Sequence, residues 1–358
     1  MDNDLMSALK AIIGDELAKF SENNPGKSPF IDGKEHSVDE LAQMAAGVFE
    51  GFMPEQEQEC NDIVSADFTE NVQKRDFNEL IECVKKKYTA KPMVRFDLEP
   101  KIDISVFDSK VGGIPYMPKE FDYPLGKSGI YEKRPLRFLA QLNFERLPHI
   151  SGFPEKGILQ FFCSDDTDEY VYGMDYDNQF NQNGFRVIYH KDIIYDEAQL
   201  CRAEDLPEFD YDSTGFPVDG SFILKSSEPT ECEITCYDFR RDEMIKNLCY
   251  EQCGHRPSNI RGIIDLGYDE EQIDAFYWSD TEDYSCIGGY PQFRQDDPRY
   301  NADYADCDVL LFQLCSCYIG KEPYQILWGD AGIANFFISS EDLKNLDFSR
   351  VLYSWDCT

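Results

Sequence analysis

Val111 to Pro118 reads VGGIPYMP, and Ile287 to Arg294 reads IGGYPQFR. Gly112 and Gly288, the first glycines of the two stretches, stand 176 residues apart. A glycine pair accepts positive φ and the proline behind it fixes the exit, so each stretch is expected to form a turn that launches a unit. Further out, Phe138-Leu-Ala-Gln-Leu142 matches Leu310-Leu-Phe-Gln-Leu314, which sets Gln141 against Gln313 at an offset of 172. Gly157-Ile-Leu-Gln-Phe-Phe162 matches Gly332-Ile-Ala-Asn-Phe-Phe337 at an offset of 175. Three collinear blocks at nearly constant offset point to an internal duplication. The expected fold is α+β: a mostly antiparallel, β-rich domain of two pseudo-symmetric repeats, about 91–200 and 265–358, behind an N-terminal helical extension.

The extension covers residues 1–68 and the duplicated domain 69–358. Leu5, Leu9, Ile12, Ile13, Leu17 and Phe20 recur at helical spacing. Ser37 with Glu40 forms a capping box for a second helix. A third helix is read from about Thr69 to Tyr88 through Phe77, Leu80, Ile81 and Val84, with Lys85, Lys86 and Lys87 offsetting its negative end. From Val94 onward the pattern turns to alternation, and short apolar runs follow at Leu136–Leu142, Gly157–Cys163 and Phe185–Tyr189, as strands require.

Lys and Arg number 34 against 69 Asp and Glu, for a formal net charge of −35. That charge opposes binding to nucleic acid and to anionic membrane, and neither is expected as a partner. The densest acidic stretch, Asp265 to Asp308, holds thirteen acids against Arg294 and Arg299. It reads as a solvated face or as a docking surface for a basic protein. Acidic residues at the N-terminus and the lack of a long apolar run argue against secretion and against a membrane helix, so a cytoplasmic location is expected. Thirteen cysteines, an odd number, fit reduced thiols in that compartment.

Gly126-Lys127-Ser128 lacks the glycine of a phosphate-binding loop, since Phe121 occupies its place. His36, His149, His190 and His255 show no catalytic spacing, and the acids Asp165, Asp166, Asp168 and Glu169 read as a loop or as a carboxylate pair. Gln141 and Gln313, each inside an apolar strand, must be hydrogen-bonded or open onto a cleft. With Trp328 and Asp330 of the WGDAG turn they are the candidate ligand-binding residues, at the seam between the repeats. Cys232, Cys236, Cys249 and Cys253 are candidate ligands for a zinc ion, as two Cys pairs with His255 beyond. Catalytic residues are not assigned.

Ser109 to Pro118, Phe138 to Phe144, Gly157 to Phe162, Gly288-Gly-Tyr-Pro291 with Gln295 to Arg299, and Leu327 to Gly332 with Leu343 to Asp356 together resemble the YwqG-like family of bacterial proteins. The resemblance spans roughly residues 91 to 358. It implies an α+β duplicated fold with no established activity, and members often encoded near contact-dependent toxin and immunity genes. The expected function is a non-enzymatic protein-binding module, in its sharper form of immunity type. The alternative is an enzyme or small-molecule-binding protein with its site between the repeats.

Overall fold

A computed structural model describes residues 75–87, 90–165, 171–209, 215–277, 282–320 and 324–357. The expectations for helices within residues 1–68, and for Asp166, Asp168 and Glu169, lie outside these residues. The third helix is found as α1 (Phe77–Lys87), with Phe77, Leu80, Ile81 and Val84 buried along one side. Three lysines close it, where positive charge meets the helix's negative end.

The fold is an antiparallel β-rich unit around an 11-stranded sheet curled into a half-barrel. In chain order its strands are β1 (Lys91–Pro100), β2 (Lys110–Val111), β3 (Arg137–Asn143), β4 (Ile158–Cys163) and β5 (Phe185–His190). After β6 (Val218–Asp219) come β7 (Phe222–Ser226), β8 (Thr230–Cys232), β9 (Ser285–Gly288) and β10 (Val309–Cys315). The short β11 (Cys317–Tyr318) and β12 (Gln325–Ile326) join β6 in a small second sheet, and β13 (Ile333–Ile338) and β14 (Leu352–Asp356) complete the large one.

Across the large sheet the order is β14-β13-β10-β9-β1-β7-β2-β3-β4-β5, with β8 also paired to β1. The first strand, β1, therefore pairs with β9, Val94 opposite Ile287, rather than with its sequence neighbour β2. β2 pairs instead with β7, Val111 opposite Phe222. β3 and β10 are each irregular at the same place, skipping Leu139 and Leu311 against their partner strands.

β3, β4, β10 and β13 are almost wholly buried, so they read as apolar runs rather than as alternation. Inside the curl, Phe161, Phe312, Phe336 and Tyr353 pack ring to ring, with Phe336 and Tyr353 stacked at 4.6 Å. The outer strands are drawn together as well. Phe185 of β5 meets Tyr353 of β14 at 5.0 Å, and the Tyr353 N–H donates to the Gln179 carbonyl. Outside β10 and β13 a second core forms under α1, α2 (Arg241–Cys253), α3 (Gly262–Asp265) and α4 (Glu270–Tyr277), and α5 (Ser340–Asn345) precedes β14.

Candidate functional site

Both glycine pairs take the left-handed backbone: Gly112 and Gly113 at φ +65° and +74°, Gly288 and Gly289 at +69° and +70°. A Cβ at Gly112 would lie 2.5 Å from the Gly220 carbonyl oxygen, and one at Gly288 2.3 Å from that of Pro92. Only glycine satisfies both the φ and this closeness. The chain leaving each turn is held by amide side chains from the sheet. Gln141 Oε1 accepts the Tyr116 N–H at 2.9 Å, and Gln160 Nε2 donates to the Tyr116 carbonyl at 2.6 Å. In the second stretch Gln313 Oε1 accepts the Gln292 N–H at 2.7 Å, and Asn335 Nδ2 donates to the Gln292 carbonyl at 2.9 Å.

Gln141 Nε2 also donates to the carbonyls of Val106 and Asp108, and Gln313 Nε2 to that of Tyr284. The two glutamines thus act as ties between strand and turn, fully buried, Gln141 on β3 and Gln313 on β10. Trp328 is fully buried too, edge-on to Tyr172 at 5.4 Å, with its indole N–H unpaired among the described residues. Asp330 lies exposed in the following turn, beside Cys357. Gln141 and Gln313 therefore hold turns and present no amide to a cleft.

Cys249 and Cys253 do share a helix, α2, where the Cys253 thiol donates to the Cys249 carbonyl at 2.9 Å. Cys232 ends β8, its thiol raised above the ordinary range mainly by burial and bonded to the Tyr284 hydroxyl, while Cys236 lies beyond the strand. Among the described residues no group of three or more His, Cys, Asp or Glu is close enough to hold a metal ion.

Several buried groups carry the molecule's electrostatics. Arg299, 1% exposed, donates from Nε and Nη2 to Asp297 at 2.9 and 2.6 Å. It approaches Asp238 at 3.5 Å and lies between the rings of Phe337 and Phe239 at 4.3 and 4.9 Å. Asp238 is also gripped by Arg240. Asp297 and Arg299 belong to a quoted motif, but nothing local in the sequence announces that Asp238 joins them.

Lys110 is buried on β2, and burial lowers its pKa from 10.5 to about 7. Asp356 accepts the N–H groups of Arg294 and Gln295 at 2.9 and 2.8 Å, and burial raises its carboxyl from 3.8 to about 6. His190, bonded to Gln160 at 2.9 Å, is lowered to about 4 by burial and is neutral at neutral pH.

The acidic stretch divides. Asp297 is buried, Asp283 pairs with Arg294 and Asp306 with Arg350. Asp265, Glu270, Glu271 and Asp274, on and before α4, are exposed and form no ion pair among the described residues. Among the described residues, no helix is long and apolar enough to cross a membrane.

A family model described as "Domain of unknown function (DUF1963)" matches residues 109–357. No curated protein matches the chain.

Proposed function

Because the chain belongs to this family of domains of unknown function, whose description names no activity, we propose from its geometry a non-enzymatic protein-binding module that captures a basic partner. The observation that carries this reading is the set of exposed carboxylates at Asp265, Glu270, Glu271 and Asp274, which no cation of the described chain neutralises. A positive partner surface would relieve their mutual repulsion and speed encounter. Location in the cytoplasm, and the finer YwqG-like assignment with its immunity-type role, belong to the same proposal.

The module is built of two related halves. Supporting this are the paired glycine turns, the equivalent ties from Gln141 and Gln313, and the outward orders β2-β3-β4-β5 and β9-β10-β13-β14. Ser109 and Ser285 add to it, each accepting the N–H that ends the adjoining strand, at Asn143 and at Cys315.

Purification of tagged full-length chain from its native host, beside a variant carrying Asp265→Asn, Glu270→Gln, Glu271→Gln and Asp274→Asn, tests the reading. A basic protein should come with the parent, be released by salt, and be lost from the variant. A partner retained equally by both proteins, or one released only by denaturant, would refute it.

A further inference from the structure

A cavity of about 570 Å³ opens between β1, β8 and the segment 282–292, and none of the α4 acids lines it. Arg95 lines it, its guanidinium carbon 3.9 Å from the centre of the Tyr284 ring. Glu231, Glu233 and Glu282 line the same cavity, and Glu233 is paired with Lys85 at 3.2 Å. Among the described residues Arg95 nevertheless makes no ion pair with any of these carboxylates. An arginine with freedom to move folds onto the nearest acid. Here the stack on Tyr284 spends the guanidinium's face and leaves its edge donors turned to the cavity.

The surroundings are fixed rather than adaptable. The Tyr284 N–H donates to Gln292 Oε1 at 3.3 Å, and the Tyr284 carbonyl takes Gln313 Nε2 at 2.7 Å. The Glu282 carbonyl accepts Gln292 Nε2 at 3.1 Å, and Glu231 sits in β8 opposite Pro92. One guanidinium and three carboxylates thus line a single space, with Glu233 taken by Lys85 and Arg95 paired with none of them among the described residues.

We propose that this cavity binds a short zwitterionic peptide, its carboxylate on Arg95 and its ammonium toward Glu231 and Glu282. A dianion would meet the two carboxylates, and a simple cation would leave Arg95 unmatched. A ligand with opposite charges at its two ends answers Arg95 and the two carboxylates, Glu231 and Glu282, that form no ion pair among the described residues. The volume falls within the roughly 300–1,000 Å³ of small-ligand sites and exceeds what one amino acid fills, which favours di- or tripeptide size.

Calorimetric titration of the full chain tests this with trialanine, N-acetyl-trialanine, trialanine amide and succinate. Trialanine should bind, and each blocked peptide should bind at least about tenfold more weakly. Arg95→Met should abolish trialanine binding, and Glu282→Gln should narrow the gap between the free and acetylated peptides. Both side chains are exposed, so the unliganded variants should melt as the parent does. The proposal is overturned if trialanine gives no heat at about 5 mM, if free and blocked peptides bind alike, if succinate binds more tightly than trialanine, or if Arg95→Met binds like the parent. None of these outcomes bears on the α4 acids.

Discussion

Replacing Lys110 by methionine should stabilise the protein at neutral pH by an amount that shrinks as pH rises. Lys110 is completely buried, and its ammonium has the Ser105 carbonyl at 3.0 Å as its hydrogen-bond acceptor. Burial lowers the pKa from 10.5 to about 7, and the attraction of Asp108 offsets only part of that. The unfolded chain therefore keeps a proton that the folded chain gives up, and throughout this window stability climbs with pH. The cost of burying the amine is complete below the folded value of about 7 and vanishes above 10.5. Integrated over the shift, that cost is roughly 4 kcal/mol at about pH 7.

Methionine fills a similar length without a proton to lose. K110M should therefore exceed the parent by that order near neutrality, and the gap should narrow by roughly 3 kcal/mol by about pH 9.5. Urea denaturation of both proteins across this range gives the difference, in which tyrosine and cysteine ionisations common to both cancel. A difference that stays constant within about 1 kcal/mol would mean that Lys110 is hydrated or ion-paired in the folded protein, and the reasoning would fail.

Arg299→Met should cost about 3–5 kcal/mol, because it leaves Asp297 and Asp238 buried without their shared cation. A denaturation midpoint that hardly moves would show the pair to be dispensable. Gly112→Ala and Gly288→Ala should each lose at least about 1–2 kcal/mol in thermal melts, since φ and the facing carbonyl both oppose a side chain. The open Gly129, with a similar φ of +63° but no atom within 4 Å, serves as the control that isolates the steric part. Asp356 is raised to about 6, so the folded protein holds a proton that the unfolded chain releases near 3.8, and stability is lost as pH climbs through that window. Asp356→Asn should flatten the dependence there while still accepting the Arg294 and Gln295 N–H groups, and a variant as pH-sensitive as its parent would count against this.

What the sequence made legible is what local chemistry determines. The glycine pairs announced two turns because few other residues adopt their backbone, and both turns are present. The runs at Leu136–Leu142, Gly157–Cys163 and Phe185–Tyr189 correspond to β3, β4 and β5 within a residue or two. Gln141 and Gln313 stood out as polar residues in apolar strands, yet sequence alone could not say whether backbone or ligand satisfied them. The pairing of β1 with β9 was not legible, because a partner 193 residues away along the chain leaves no periodic trace. Asp238 and Arg299 meet for the same reason unseen, and Arg95 looks like an ordinary outward residue between buried Val94 and Phe96. Long-range register, which decides what faces a cavity, is not encoded in any window of neighbouring residues.

The pairing of β1 with the distant β9 has a bearing on how the chain is made. At about 5–20 residues per second of synthesis, Val94 waits roughly 10–40 s for Ile287 to be added. Over most of that interval β1 is an open edge, and β7 reaches it first, when Phe222 to Ser226 emerge. Arg95, Asp97 and Glu99 alternate along β1 and are exposed even in the finished sheet. Charges spaced in this way discourage a waiting strand from annealing to another nascent chain. A ribosome paused between β7 and β9 would thus carry an unfinished seam, guarded by the side chains that later look merely decorative.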